Sequence, residues 1–183
     1  ATVCDEVYRT LMKMRWQPSL RIIPHYESDP LYIDALVNSI NKKINEISWK
    51  PDLIIASYHG IPKKYFDKGD PYHCYCHKTT RLISEKFSSV KIKTTFQSRF
   101  GPQEWLQPYT DKTLENLPKE GVKNVLTICP GFASDCVETL EEIQIQAKES
   151  FLNSGGENFD MVPCLNDNSD HIILLKSLIE RNI

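Results

Sequence analysis

Short strand-like runs alternate with helical patterns along most of this chain. Apolar runs of strand length occur at five places, residues 20–23, 53–57, 92–96, 125–128 and, more weakly, 159–162. Elsewhere apolar residues recur every three to four positions, the spacing of amphipathic helices, at residues 3–14, 31–47, 79–87, 112–117, 137–151 and 169–179. Such alternation predicts parallel strands joined by right-handed helical crossovers.

The predicted fold is therefore α/β: a Rossmann-like domain with a four-stranded parallel sheet flanked by helices. The runs at 53–57 and 125–128 are almost wholly apolar, as is typical of central strands covered on both faces. A length of 183 residues, 40% of them hydrophobic, suits a single domain. Ligands of such sheets bind at the carboxyl ends of the strands, so a site is expected after Ser57, Gln97 and Cys129.

Composition excludes several classes of function. The chain has 22 Lys and Arg against 24 Asp and Glu, with no long run of one sign, so nucleic acid is not an expected partner. The longest apolar run, 172–175, is too short to span a bilayer, and no signal-peptide pattern opens the chain. Six cysteines in such a sequence are expected to be free thiols in the cytoplasm. No phosphate loop, dinucleotide fingerprint or nucleophile elbow is present, which disfavours nucleotide and acyl-transfer chemistry.

The first helical segment allows two interpretations. It interleaves basic and apolar side chains, namely Arg9, Met12, Lys13, Met14, Arg15 and Trp16. Such a helix could rest on an anionic membrane surface or pack as an ordinary core helix. We expect the core helix, and peripheral membrane contact is the alternative.

His59 directly follows the predicted strand 53–57. The next residue, Gly60, permits a tight turn. An imidazole at the carboxyl end of a strand suits a catalytic base, although histidines at such positions are more often structural or exposed.

Glu138 and Glu142 lie four residues apart at the start of the helix predicted at 137–151. They would share one face and offer hard oxygen ligands to a divalent cation. An acidic, solvated face near a helix N-terminus is an equally good interpretation. Ser134 or Asp135 is the expected N-cap.

Two loops carry further candidates. Residues 61–76 form the longest stretch without periodicity, and His73, Cys74, Cys76 and His77 crowd its end. A Cys-x-Cys pair without a second pair is a poor zinc signature, so we expect no structural metal here. Trp105, in the aromatic stretch 96–106, either plugs the edge of the core or faces a flat apolar ligand.

Five motifs, in order, give the chain a resemblance to ferrochelatases. They are SYHGIP at 57–62, GDPY at 69–72, FQSRFG at 96–101, WLQPYTD at 105–111, and the stretch from CPGF at 129–132 to ETLEE at 138–142. The resemblance runs through the whole chain.

This resemblance implies a lyase, a metal chelatase that inserts ferrous iron into protoporphyrin IX as the terminal step of haem biosynthesis. It implies two similar domains with the porphyrin in the cleft between them. Residues 1–183 would be the C-terminal chelatase domain, beginning within the domain junction, and the N-terminal domain would be the missing partner. The expected location is the cytoplasm, with peripheral contact at the inner membrane left open.

By the same resemblance, His59 and Glu138 match the family's catalytic histidine and glutamate. Metal contacts would involve His59, Glu138 and Glu142, although Gln146 stands where many relatives carry another carboxylate. Tyr58, Trp105 and Phe132 would contact the porphyrin.

Fe²⁺ would be a substrate, and no tightly bound cofactor is expected. Some relatives bind a [2Fe-2S] cluster through a C-terminal extension, which this sequence lacks, so we expect no cluster. Two other functions stay open: a non-catalytic metal or tetrapyrrole-binding module, and a related cobalt chelatase.

Overall fold

The computed structural model, which describes residues 2–87 and 90–183, contains a four-stranded parallel sheet of order β2-β1-β3-β4. Its strands are β1 (Leu53–His59), β2 (Lys91–Gln97), β3 (Asn124–Ile128) and β4 (Asn158–Met161). The predicted fold class is confirmed, and β1 and β3 are the central strands, as their apolar sequences indicated. Among these described residues, no helix is long and apolar enough to cross a membrane.

Helices connect the strands and cover both faces of the sheet. They are α1 (Thr2–Leu11), α2 (Pro30–Glu46), α3 (Lys63–Asp67), α4 (Tyr72–Ser84), α5 (Thr110–Asn116), α6 (Val137–Leu140), α7 (Lys148–Asn153) and α8 (Ser169–Glu180). A 3₁₀ turn, Leu117–Glu120, follows α5, and a π-helical segment, Glu142–Ala147, joins α6 to α7.

Alternate residues of β1 enter two separate hydrophobic cores. Ile54 and Ala56 pack with buried side chains of α2, α4 and α8. Leu53 and Ile55 pack on the other face with residues of α5, the π segment and α7. Because successive side chains of a strand point to opposite faces, one strand links both layers and fixes where its carboxyl end lies.

Two predictions for the N-terminal region are wrong. Residues 20–23 form no strand, because they pair with no other strand and their apolar side chains stay exposed, Leu20 at 42%. The first helix is not a core helix either. Its apolar side chains belong to neither core, and Val3 and Val7 are 77% and 37% exposed.

Two predictions of local structure are also corrected. Residues 61–76 are not an irregular loop, because they contain α3 and the start of α4, where the Asp70 carboxylate accepts the Tyr72 N–H at 2.9 Å. The helix predicted at 137–151 is interrupted by the π segment, where the Gln146 N–H donates to the Glu141 carbonyl five residues back at 2.9 Å.

The N-cap of α6 is Cys136 rather than Ser134 or Asp135. Its backbone N–H donates to the Thr139 hydroxyl at 3.0 Å. The Asp135 carboxylate is used elsewhere, because it accepts hydrogen bonds from the Cys164 N–H at 3.1 Å and the Asn166 amide at 2.7 Å.

Thr127, in β3, carries the one buried side-chain oxygen or nitrogen without a hydrogen-bond partner in residues 2–87 and 90–183. A buried hydroxyl that finds no partner loses its hydration without compensation. We therefore expect Thr127→Val to raise the free energy of unfolding by about 1 kcal/mol in urea denaturation of the complete protein.

Thr95→Val, in β2, is the matched control. The Thr95 hydroxyl accepts a hydrogen bond from the Thr110 hydroxyl at 2.8 Å, so its loss should lower the free energy of unfolding by about 1 kcal/mol. Equal destabilisation by both substitutions would show that the Thr127 hydroxyl does have a partner.

Candidate active site

The side-chain amide of Gln97 joins three elements at the carboxyl edge of the sheet. Its oxygen accepts the Ser57 hydroxyl of β1 at 2.7 Å, and its nitrogen donates to the Glu138 carbonyl of α6 at 2.7 Å. Gln97 is 3% exposed, so both bonds form away from bulk water. The amide therefore fixes the start of α6 against β1 and β2.

The carboxylate of Glu142 is held by the residue that follows β2. The Ser98 backbone N–H donates to it at 2.7 Å, the Ser98 hydroxyl donates as well, and the Gln97 amide lies 3.4 Å away. Ser98 has a φ of 63°, in the left-handed region that few non-glycine residues adopt. Glu142 is thus anchored to the sheet edge and does not extend into solvent.

His59 is the last residue of β1, and only one of its two ring nitrogens is hydrogen-bonded within the described part of the chain. Its Nδ1 lies 2.6 Å from the Gly60 carbonyl, which can only accept, so Nδ1 carries the hydrogen and Nε2 can bind a proton or metal ion. Gly60 is required here, because a Cβ would lie 2.9 Å from the Gln97 carbonyl oxygen and 3.2 Å from the Trp105 ring. The Tyr72 hydroxyl donates to the His59 carbonyl at 2.9 Å.

Two phenylalanines flank the imidazole of His59. The ring centroids of Phe100 and Phe132 lie 6.4 and 6.3 Å from it, and Phe100 is stacked at an interplanar angle of 27°. Phe100 is 64% exposed, so it offers a free aromatic face beside the histidine.

Trp105 is nearly buried, with 9% of its surface exposed. Its indole N–H donates to the Phe100 carbonyl at 3.0 Å, and its ring meets the Phe100 ring edge-on with centroids 6.0 Å apart. The ring plugs the edge of the core over Gly60, the first of the two predicted alternatives. It supports the loop that carries Phe100.

Tyr58 also faces inward, because its position in β1 directs it to the sheet face opposite Ser57. It is 3% exposed, its hydroxyl lies 3.0 Å from that of Thr80, and burial raises the pKa of its phenol. The ring would lie 3.4 Å from a Cβ at Gly131, so it packs beneath the loop that carries Phe132. In this position Tyr58 supports that loop, and its contact with the porphyrin stays a prediction.

A cavity with a volume of about 630 Å³ opens beside α6 and the π segment. Glu138 and Glu142 both line it, and Ser98, Phe100 and Gln146 are among the other residues of its wall. A second cavity of about 320 Å³ lies on the opposite face of the sheet, where Tyr58 and Phe132 contribute to the lining.

The environment of Glu138 favours its ionised form. A hydrogen bond from the Cys136 thiol holds the pKa of the Glu138 carboxyl below its usual range, and a backbone hydrogen bond and the charge of a protonated His59 act in the same direction. Glu138 is accordingly a carboxylate at neutral pH, close enough to His59 for the two charges to interact.

Within residues 2–87 and 90–183, no group of three or more His, Cys, Asp or Glu side chains is arranged to hold a metal ion. His59, Glu138 and Glu142 are thus not arranged as one such group, and their contacts with the metal stay predictions. All six cysteines are free thiols, as expected.

Sequence reasoning missed the two residues that position the carboxylates, Gln97 and Ser98. The available signal was their place at the end of a strand, within the FQSRFG motif at residues 96–101. Their partners lie more than 40 residues away, and no local pattern shows such pairs.

If the Cys136 thiol lowers the pKa of Glu138, removing that thiol should change the pKa. Cys136→Ala should raise the pKa of Glu138, because the charged form loses a hydrogen bond. Cys136→Ser, which keeps a donor, should leave it low. The measurement is an NMR titration of the Glu138 side-chain carboxyl carbon, and an unchanged pKa in Cys136→Ala would mean that the thiol does not contact the carboxylate.

Comparison with known proteins gives one consistent result. The family model described as Ferrochelatase matches residues 1–183. The ferrochelatases of Rhizobium meliloti and Allorhizobium ampelinum are each 56% identical over 185 residues, covering 100% of this chain and 55% and 54% of those proteins. That of Agrobacterium fabrum is 50% identical, with 54% of it covered. The chain spans about half the length of the curated relatives it matches.

Proposed function

This chain belongs to the ferrochelatase family, and from that premise we propose that it forms the metal-handling half of an enzyme that inserts Fe²⁺ into protoporphyrin IX, the terminal step of haem biosynthesis. The observation that carries the proposal is the pairing of His59, whose Nε2 is free, with the ionised Glu138 at one sheet edge. Aromatic rings flank this pair, as a flat macrocycle requires.

The reaction exchanges two pyrrole N–H protons for one Fe²⁺, so the site must accept protons and supply a cation. His59 Nε2 is a proton acceptor or a first ligand for the arriving iron. Glu138 supplies the negative charge that attracts the cation and can pass the released protons to solvent. Glu142 stands behind it along the same cavity, where its bonds to Ser98 hold it in place.

Iron is a substrate here, and the arrangement suits a passing ion. A closed cage of protein ligands would retain the metal, and no group of three or more His, Cys, Asp or Glu side chains in the described residues forms such a cage. Gln146, which follows Glu142 by four residues and also lines the cavity, is neutral. The acidic row therefore ends at Glu142.

Phe100 and Phe132 are the proposed contacts for the porphyrin face, with Trp105 and Tyr58 supporting them from below. Rigid aromatic walls on both sides could bend the macrocycle and turn a nitrogen lone pair toward the metal. This chain supplies the wall that contains Phe100 and Phe132. We propose that the N-terminal domain of the same enzyme supplies the opposite wall.

The length of the relatives and the exposed apolar side chains of α1 support this two-domain assembly. Side chains such as Val3 and Val7 find no partner in the cores of this chain, and a second domain would bury them. We place the enzyme in the cytoplasm, in keeping with its free thiols. The alternative is that α1 rests on a membrane surface. In that case the complete enzyme would sediment with lipid vesicles.

Substitution of either member of the pair tests the proposal in the complete enzyme. His59→Ala and Glu138→Gln should each lower the rate of iron insertion by about 10²–10⁴-fold, because each removes a positioned proton or metal acceptor. Glu149→Gln is the control, since Glu149 is exposed on α7 and is not among the residues that line this cavity, so turnover should stay near normal.

The assay should measure the rates at which Fe²⁺, Zn²⁺ and Co²⁺ are inserted into protoporphyrin. Circular dichroism spectra should first show that each variant is folded like the unsubstituted enzyme. Near-normal turnover by His59→Ala or Glu138→Gln would remove that residue from the mechanism. Tight stoichiometric binding without insertion of any metal would indicate a binding module, and insertion of cobalt alone would indicate a cobalt chelatase.

A further inference from the structure

Two histidines on α4 lie side by side away from the proposed active site. His73 and His77 are four residues apart, and their ring centroids are separated by 4.4 Å. Neither imidazole lines the cavity beside α6 or the one on the opposite face of the sheet. The proposed iron chemistry therefore makes no use of them.

The helical conformation of residues 72–84 creates this pair. Side chains at positions i and i+4 of a helix occupy one face. The same geometry sends Cys74 and Cys76 elsewhere: Cys74 is exposed, whereas Cys76 is 3% exposed, and burial raises the pKa of its thiol to about 12. The four candidate ligands of this segment thus separate into a histidine pair and two thiols that do not join it.

Neighbouring rings restrain the pair. His73 stacks on Phe96 at an interplanar angle of 20° with centroids 5.6 Å apart, and Phe66 of α3 lies 4.9 Å from its other side. The ring of His77 approaches Phe96 as well, at 6.3 Å. Because these rings limit the orientations of both imidazoles, binding a ligand should cost little side-chain conformational entropy.

The separation of the rings fits chelation of one ion. Two nitrogens that each lie about 2.0–2.1 Å from a tetrahedral Zn²⁺ are roughly 3.3 Å apart, and the 4.4 Å between the two ring centroids is compatible with that spacing. A histidine pair four residues apart on a helix is the arrangement by which helices bind zinc.

We propose that His73 and His77 form a two-histidine site for a divalent transition-metal ion of the class that prefers imidazole ligands, such as Zn²⁺, Cu²⁺ or Ni²⁺. Water completes the coordination, because no third His, Cys, Asp or Glu of the described residues joins the pair. The site is thus open and exchangeable, and it does not depend on the proposed function.

Zinc binding to the complete protein, measured by isothermal titration calorimetry, tests the site. His73→Asn and His77→Asn should each weaken one equivalent of Zn²⁺ binding by at least roughly tenfold, the loss that even an indirect partner of a metal site can cause. His25→Asn is the matched control, since His25 is exposed and has no histidine four residues away. His59→Ala should leave this equivalent intact.

Electron paramagnetic resonance of added Cu²⁺ identifies the ligands. The spectrum should show hyperfine coupling to two nitrogens, which both asparagine variants reduce, whereas Cys74→Ala and Cys76→Ala leave it unchanged. Full zinc binding by the His73→Asn, His77→Asn double variant would overturn the proposal. So would loss of binding in a cysteine variant, or a requirement for only one of the two histidines.

Discussion

One side-chain amide determines how the carboxyl edge of the sheet is arranged. Gln97 accepts a hydrogen bond from β1 and donates one to the first turn of α6, and both bonds are shielded from water. A buried amide left without these partners would incur the full cost of desolvation, so the edge has one favourable arrangement. The position of Glu138 relative to His59 follows from it, because one sits on the helix and the other on the strand that this amide connects.

The sheet could be predicted because its strands are short apolar runs between helices with regular spacing. Residues 20–23 show the limit of that reasoning, since an apolar run forms a strand only where another strand offers hydrogen bonds. The interruption of the long helix at Glu142–Ala147 was not predictable either. Its sequence has ordinary helical periodicity, and the altered hydrogen bonding is seen only in the folded chain.

The site could be predicted in its identities more than in its geometry. The end of a strand made His59 a candidate and the helix spacing made Glu138 one, whereas the sequence left two alternatives open for Trp105. An aromatic side chain in a loop can face a ligand or cover the core, and the choice depended on Gly60, which lets the indole pack against the backbone. The histidine pair on α4 was hidden because the segment had no visible helical pattern. Without a helix, nothing separated His73 and His77 from the two thiols.

The division of β1 between two cores has a consequence for how the chain folds. Its partners β2 and β3 are distant in sequence, so that Leu53 pairs with Val125 only after a long loop closes. Closing that loop costs conformational entropy before any apolar surface is buried on either face of the strand. The native contacts therefore have a high contact order, and folding is expected to be slow. Since each layer of helices needs the same strand, neither can persist alone. The domain should therefore fold and unfold as a single cooperative unit.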